Sequence, residues 1–226
     1  MERQKSIISA TLQKPTRVTH TDRWLIVFII LFHTVGILGF AIVKTRALFL
    51  TLVPFHLLLM AALVIKSHNK INKRFIVFFI IACITGYGVE WIGTSTGLLF
   101  GSYGYGKTLG TQVLGVPLLM GVLWFLMVYS AGVAMRLSGI KHKLLRALTG
   151  AVLLTLLDWL IEPIAMRFDY WDWQNDVIPF TNYVCWFIIS FVLLCVFELC
   201  WFKKQSGVAA VFLFTQFIFF IAMRRV

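Results

Sequence analysis

Long apolar runs separated by short basic segments dominate the chain. A helix that crosses the apolar core of a bilayer needs about 20 consecutive, mostly apolar residues. On that measure the pattern predicts seven membrane-spanning helices, at residues 24–43, 47–65, 75–92, 114–135, 145–161, 183–202 and 208–223. We therefore expect an all-α, polytopic membrane bundle, formed as one domain by residues 24–226 and preceded by a basic cytoplasmic tail at residues 1–23.

Composition supports a membrane protein, and the placement of charge suggests its orientation. Only 13% of the residues are charged, whereas soluble domains carry about 25%. The net charge of +12 comes from Lys and Arg in the loops between apolar runs, so we expect no nucleic-acid partner. Loops on alternate sides hold 15 and 6 of these basic residues. Because cytoplasmic loops carry the excess of Lys and Arg, the N-terminus is predicted inside and the C-terminus outside.

Two long connections, at residues 86–117 and 158–182, fall on the same predicted outer side. The first contains nine of the 16 glycines of the chain. Irregular backbone at membrane depth must pack on protein or line a cavity. We expect the two connections to form one lid over a pocket between the third and fifth spans. The spacing of Gly93, Gly97 and Gly101 predicts a close helix–helix approach of the GxxxG kind.

Three acidic residues lie in or beside these apolar spans. Asp158 and Glu162 are four residues apart, which places them on one face of a helix. Pro163 predicts that this helix ends near Glu162, and Glu90 lies near the end of the third span. Carboxyl groups inside a membrane are costly and mark functional sites. We expect the three to meet in one pocket, where burial favours the protonated carboxyl that general acid catalysis needs. Hydrogen-bonded helix packing is the alternative.

Residues 168–176 read FDYWDWQND and place Asp169, Asp172 and Asp176 in a D-x-x-D-x-x-x-D pattern. This pattern resembles the magnesium-binding motif of intramembrane prenyltransferases. The second Asp-rich motif of those enzymes is missing from the chain. The acids also alternate with Trp and Tyr, which concentrate at membrane interfaces. A solvated interfacial loop is therefore favoured, with a magnesium-dependent prenyltransferase kept as an alternative.

Several other polar features of the sequence do not indicate a particular function. Residues 101–108, GSYGYGKT, match the phosphate-binding pattern formally, but that pattern needs a parallel strand–loop–helix unit. The four cysteines form no CxxC pair, so we expect neither disulfides nor a zinc site. His33 and His56 are expected to make local hydrogen bonds. Glu198 lies near the inner end of the sixth span, where it can extend to the interface or pair with Lys203.

Four segments in order resemble a known family: VEWIGTSTGLLFGSYGYG, LGVPLLMGVLW, LLDWLIEPIAMRFDYWDW and IPFTNYVCWF. They are similar to the carotenoid biosynthesis membrane proteins of bacteria and archaea. This family includes the CruF-type gamma-carotene 1'-hydratases and the bisanhydrobacterioruberin hydratases. The resemblance covers residues 86–186 and extends loosely to the N-terminal helices.

The resemblance implies hydration of the terminal 1',2' double bond of an acyclic carotenoid end group to a tertiary alcohol. Protonation of such an alkene gives a tertiary cation, so the step needs a strong, positioned acid. We expect Asp158 to donate the proton because it should be the more buried acid. Glu162 or Glu90 would orient the water and accept its proton. The expected substrate-binding residues are Trp91, Thr94, Phe100, Tyr103, Tyr105, Trp171, Trp173 and Asn182.

The same resemblance implies no cofactor and no metal. The expected partners are a carotenoid dissolved in the lipid bilayer, water, and other carotenoid enzymes. The expected location is the inner membrane of a bacterium. A non-catalytic carotenoid-binding or assembly protein is the remaining alternative, and it would tolerate amide replacements of the three acids.

Overall fold

The computed structural model of the protein describes residues 19–200, 202 and 205–226. This part of the chain contains seven α-helices: α1 His20–Ala41, α2 Val43–Lys66, α3 Lys73–Thr96, α4 Leu119–Leu137, α5 Lys143–Arg167, α6 Phe180–Leu199 and α7 Val208–Met223. The first six are long and apolar enough to cross a membrane. The last has 16 residues and is shorter than the usual span. The predicted fold class, an all-α membrane bundle, is confirmed.

The first helix begins earlier than residue 24, where the apolar pattern alone places the start of the first span. Thr19 is its N-cap, and the Thr19 hydroxyl accepts a hydrogen bond from the backbone N–H of Asp22. The Asp22 carboxylate accepts in return from the backbone N–H of Thr19 at 3.0 Å. This reciprocal capping satisfies free backbone donors at the start of the helix. The other residues of the predicted tail, 1–18, lie outside the described residues.

Helix α4 is the centre of the bundle, and nearly all of its residues are buried. It packs against α3, α5 and α7 most extensively and also contacts α2 and α6. Helix α1 pairs with α2 and α7, and α5 pairs with α6. The outer helices keep large apolar side chains exposed, for example Ile84, Ile188 and Ile218. An apolar core surrounded by apolar exposed faces is what a bundle in lipid requires.

The two long connections pair with each other at one end of the bundle. Strand β1, Tyr103–Tyr105, pairs antiparallel with β4, Trp171–Trp173. We call these two strands the lid sheet. Strands β2, Gln112–Val113, and β3, Val116–Pro117, form a small hairpin nearby. The prediction that the connections form one structure is confirmed, and the antiparallel pairing of β1 rules out a phosphate-binding loop of the parallel strand–helix kind at residues 101–108.

The expectation of a GxxxG approach at Gly93, Gly97 and Gly101 is wrong. Helix α3 ends at Thr96, and Gly97 is its C-cap with φ of 68°, a left-handed conformation that glycine adopts without strain. Close approach occurs instead at Gly86, where an added Cβ would overlap Trp124 of α4. This contact brings α3 and α4 together directly below the lid sheet.

The prediction that Pro163 ends its helix is also wrong, because α5 continues to Arg167. Proline has no N–H, so the carbonyl of Trp159, four residues earlier, loses its helical donor. The guanidinium of Arg224 replaces that donor, with Nη2 2.7 Å from the Trp159 oxygen. Neighbouring groups of this kind are what allow proline inside membrane helices.

At the opposite end of the bundle, Glu198 of α6 forms ion pairs with two arginines. Its carboxylate lies 2.7 Å from Arg146 Nη2 and 3.3 Å from Arg136 Nε. The guanidinium of Arg136 also donates to the carbonyl of Phe197 at 3.0 Å. Lys203, the partner expected from the sequence, lies outside the described residues. The arginine pairs join the ends of α4, α5 and α6.

Candidate functional site

Three buried carboxyl groups lie together beneath the lid sheet. Glu90 comes from α3, and Asp158 and Glu162 come from successive turns of α5. Their residues are 4%, 1% and 1% exposed, so all three are withdrawn from solvent and lipid. The structure therefore brings together the three acids that the sequence singles out. Helix α5 holds the last two on one face because they are four residues apart in a continuous helix.

The register of the lid sheet places four aromatic side chains on the face toward the acids. Tyr103 pairs with Trp173, and Tyr105 pairs with Trp171. Side chains alternate between the two faces of a strand, so Gly104 and its partner Asp172 lie on the opposite, exposed face. Each aromatic residue in this set has one hydrogen-bond donor at its polar end.

Strand β1 supplies two donors to Glu90. The hydroxyl groups of Tyr103 and Tyr105 each lie 2.6 Å from Glu90 Oε2. The pKa of each phenol lies far above its ordinary value. Burial is the larger cause, and the nearby Glu90 carboxyl is the second. Both tyrosines therefore remain O–H donors throughout the physiological pH range.

Strand β4 supplies two donors to Glu162. The indole nitrogens of Trp171 and Trp173 lie 3.0 Å and 2.6 Å from Glu162 Oε2. Strand β1 therefore donates to the glutamate of α3, and strand β4 donates to the glutamate of α5. Pairing of the strands couples the positions of the two glutamates.

Two residues from the helices complete the hydrogen bonds below the lid. Trp124 of α4 donates from Nε1 to Glu90 Oε1 at 2.8 Å. Asn182 of α6 donates from Nδ2 to Asp158 Oδ2 at 2.8 Å and to Glu162 Oε1 at 3.1 Å. The amide of Asn182 therefore bridges the two acids of α5.

The three carboxyl groups differ in how many donors they receive. Glu90 accepts from three side chains, and so does Glu162. Within the described residues, Asp158 accepts from Asn182 alone, and its Oδ1 is buried without a hydrogen-bond partner. Donors stabilise an ionised carboxylate, and a buried charge without them is very costly. Asp158 is therefore the acid of the three whose surroundings best suit a protonated carboxyl.

A small cavity lies beside the hydrogen bonds between the lid sheet and the acids. Its volume is about 20 Å³, and one water molecule needs about 10–15 Å³ on the same measure. The cavity is lined by Glu90, Phe100, Tyr103, Tyr105, Met120, Glu162, Trp171, Trp173, Asn182 and Trp186. Asp158 is not part of this wall and reaches it through Asn182. The space is suited to water, and an isoprenoid end group needs more room than it offers.

Most of the expected substrate-binding residues line this cavity, but two do not. Trp91 is 44% exposed on the outer surface of α3. Thr94 uses its hydroxyl to donate to the backbone oxygen of Glu90 at 3.0 Å, within the helix. Both residues lie outside the cavity wall, so only their neighbour in the chain, Glu90, contributes directly to the site from this turn of α3.

Sequence reasoning missed two tryptophans of the site. Trp124 is buried in the central helix, and its ring stacks on that of Trp186 at 4.3 Å between centroids. Nothing in an apolar helix distinguishes a tryptophan that donates to an acid from one that only packs. The available signal was their position in two segments that carry the family resemblance, LGVPLLMGVLW and IPFTNYVCWF.

The three aspartates of the D-x-x-D-x-x-x-D pattern do not assemble as a ligand set. Asp169 accepts a hydrogen bond from the backbone N–H of Lys107 at 3.0 Å and so ties the ends of the two connections together. Asp172 and Asp176 are exposed. Among residues 19–200, 202 and 205–226 no group of three or more His, Cys, Asp or Glu is arranged to hold a metal ion.

Comparison with known proteins agrees with the family resemblance. A family model described as "Carotenoid biosynthesis protein" matches residues 50–225, which include the whole site. The bisanhydrobacterioruberin hydratase of Haloarcula japonica is 25% identical over 135 residues, covering 57% of this chain and 46% of that protein. The match thus spans a little under half the length of that relative. No solved structure matches the chain. Because the family model covers most of the chain, the protein belongs to the family of carotenoid biosynthesis proteins.

Proposed function

We propose that this protein is a hydratase that adds water to the terminal 1',2' double bond of an acyclic carotenoid end group. The observation that carries the proposal is the group of three buried acids beneath the lid sheet. Two of them, Glu90 and Glu162, line a cavity of about 20 Å³ that is large enough for a water molecule. Membership of a carotenoid biosynthesis family supports the substrate class. The name of the matched relative, a hydratase, supports the reaction type.

The first step is protonation of the alkene by Asp158. The carboxyl proton moves to the less substituted carbon, and the π electrons of the double bond form the new C–H bond. This leaves a carboxylate on Asp158 and a tertiary cation on the neighbouring carbon. An alkene accepts no strong hydrogen bond, so an O–H that no other acceptor holds suits it best. The unpartnered Oδ1 of Asp158 fits that requirement.

The second step is addition of water to the cation. The faces of Trp171 and Trp173 can stabilise the positive charge before water adds. Water in the cavity forms the C–O bond, and its proton passes to the carboxylate of Glu162 or Glu90. Return of that proton to Asp158 restores the starting state, and Glu162 is well placed for it because both acids share the amide of Asn182. The reaction is balanced by one water and needs no oxidant or reductant.

Entry of the end group requires the wall of the cavity to move. The cavity is too small for the branched end of a polyene, and Asp158 is reached only through Asn182. Trp186 is the half-buried wall residue of α6, where the helix borders the surface that faces lipid. Displacement of Trp186 or of the lid sheet would admit the end group from the bilayer, where the polyene dissolves.

Replacement of Asp158 by Asn tests the proposal. The protein is expressed in a host that accumulates lycopene or gamma-carotene, and the pigment is analysed by mass spectrometry for the gain of one water. We expect Asp158→Asn to abolish hydrated product while the protein remains in the membrane fraction. The matched control is Asp172→Asn, the same change on the exposed face of the lid sheet, which is expected to keep the wild-type yield.

The outcome also separates a hydratase from a carotenoid-binding protein. A carotenoid-binding protein should still bind its pigment with an amide at position 158, because the shape and most hydrogen bonds of the side chain are retained. Pigment that gains no water with the wild-type chain would rule out the hydration. A wild-type yield from Asp158→Asn would remove Asp158 from the reaction and leave the hydration itself in place.

A further inference from the structure

A second cavity lies between α1, α2 and α7, apart from the acidic site. Its volume is about 290 Å³. No residue of its wall belongs to the wall of the smaller cavity beneath the lid sheet. Six phenylalanine residues line it: Phe32, Phe40, Phe49, Phe55, Phe219 and Phe220. Its polar lining residues are His33, His56, Tyr170 and Gln216, and among the residues that the structure describes no Asp, Glu, Lys or Arg belongs to its wall.

The hydrogen bonds of His33 are complete without a ligand. His33 Nδ1 lies 2.7 Å from the carbonyl oxygen of Ile29, so this nitrogen carries the proton. In the neutral ring the other nitrogen is an acceptor. Gln216 Nε2 lies 2.6 Å from His33 Nε2 and donates to it. Both nitrogens of His33 are therefore paired inside the protein.

The ring of His56 is different. It lies edge-on to His33, with 4.8 Å between ring centroids, and 6.4 Å from the ring of Phe32. Within the described part of the chain, no hydrogen bond reaches either nitrogen of His56. A neutral imidazole presents one donor and one acceptor. At membrane depth, where water is scarce, a polar group of this kind needs a partner.

We propose that this cavity binds a neutral, elongated apolar molecule that carries one hydroxyl or carbonyl group, and that this group pairs with His56. The described residues of the cavity wall carry no charged side chain, which disfavours an ionic ligand. The phenylalanine rings suit an unsaturated, isoprenoid chain. A mostly apolar cavity with a few convergent polar groups is the usual form of a small-molecule site. This inference stands independently of the hydratase proposal.

Farnesol, a linear prenyl alcohol, is the direct probe. Its binding to the full-length protein in lipid nanodiscs is measured by equilibrium binding with radiolabelled farnesol. Farnesene, the hydrocarbon without the hydroxyl, serves as competitor. We expect saturable binding of farnesol to the wild type and about tenfold weaker binding to His56→Phe, which keeps an aromatic ring but removes the hydrogen bond. Farnesene should compete weakly with farnesol on the wild type.

Two further variants keep the test decisive. His142→Phe makes the same substitution at an exposed position before α5 and is expected to bind farnesol as the wild type does. Gly36→Val adds atoms to the wall of the cavity, beside Phe219, and should weaken farnesol and farnesene alike. If His56→Phe does not fold, Gly36→Val alone tests whether farnesol binds in this cavity. Equal affinity of the wild type and His56→Phe, or no saturable binding, would overturn the proposal.

The natural ligand is sought in the lipid that copurifies with the protein. Extracts from a host that makes acyclic carotenoids and from one that does not are compared by mass spectrometry. A polyene alcohol present only in the first host, or a prenyl alcohol present in both, agrees with the proposed class and identifies its source. Recovery of phospholipid alone contradicts the proposal, because its headgroup is ionic.

Discussion

Tyr103 and Trp173 face each other across the lid sheet, with 5.0 Å between their ring centroids, but they donate to different acids. The tyrosine hydroxyl lies 2.6 Å from Glu90, and the indole nitrogen lies 2.6 Å from Glu162. One cross-strand pair therefore connects two carboxyl groups that come from different helices. Movement of the lid sheet would change the hydrogen bonds of both acids together.

Removal of one donor from this arrangement should affect reaction more than folding. In Trp173→Phe the ring face remains but Glu162 loses its shortest hydrogen bond from the lid sheet. A hydrogen bond to a charged group contributes about 1.5–3 kcal/mol, so we expect hydrated product to form about 10- to 100-fold more slowly. The measurement is initial rate in membranes supplied with the acyclic carotenoid.

The matched control is Trp24→Phe at the exposed start of α1. It should retain the wild-type rate, and both variants should accumulate equally in the membrane fraction. If Trp173→Phe retains the full rate, the indole N–H of Trp173 has no part in the chemistry.

A second prediction concerns the glycines of the lid connection. An added Cβ at Gly106 would overlap the backbone oxygen and carboxylate of Asp169, whereas an added Cβ at Gly104 meets nothing within 4 Å. We expect Gly106→Ala to displace β1 from β4 and lower the hydration rate at least about tenfold, with little change in the unfolding temperature of the bundle. Gly104→Ala should have the wild-type rate. The two rates, with limited proteolysis of residues 101–111, provide the measurement; equal rates would argue against a tight lid.

The sequence predicted the membrane bundle because apolar length is a strong signal in lipid. It also predicted that Glu90 lies close to Asp158 and Glu162. Buried acids in apolar helices need polar partners, and a membrane bundle contains few polar sites. It could not predict the lid sheet. Three-residue strands have no detectable period, and the pairing of Tyr103 with Trp173 joins residues that are far apart in the chain.

The two errors have different physical origins, a contact with a distant residue at Pro163 and a local turn at Gly97. Pro163 alone predicts the end of a helix, but Arg224 supplies the donor that the proline removes. The spacing of Gly93 and Gly97 alone predicts helix packing, but the chain turns at Gly97. A residue remote in sequence decided the first outcome, whereas the second was decided locally by the left-handed conformation of Gly97.

The role of Arg224 provides a third prediction. Arg224→Met should lower the free energy of unfolding by about 1–2 kcal/mol, because the carbonyl of Trp159 loses its donor. In the background of Pro163→Ala the N–H of residue 163 can bond to that carbonyl, so Arg224→Met should cost less than half as much. The difference is measured by thermal unfolding in detergent of the wild type, the two single variants Arg224→Met and Pro163→Ala, and the double variant. Arg225→Met, an exposed neighbour, is the control. Equal costs in both backgrounds would contradict the replacement of the helical donor by Arg224.

A fourth prediction concerns His68, which lies between α2 and α3 at the end of the bundle opposite the lid sheet. Its Nδ1 is 2.7 Å from the hydroxyl of Tyr129, and its ring lies 4.1 Å from that of Phe75. Burial lowers the pKa of His68 to about 4 from its ordinary 6.5. The unfolded chain therefore takes up a proton at this residue at a higher pH than the folded protein does.

The contribution of His68 to the free energy of unfolding is thus fully present above pH 6.5. It is lost progressively as the pH falls toward 4. His68→Phe removes this proton uptake, so its unfolding temperature should fall less than that of the wild type over the same interval. His142→Phe changes an exposed histidine and should follow the wild type. Unfolding temperatures in detergent at several pH values between 7.5 and 4 provide the comparison. Parallel curves for the wild type and His68→Phe would show that burial of this ring does not make the fold sensitive to acid.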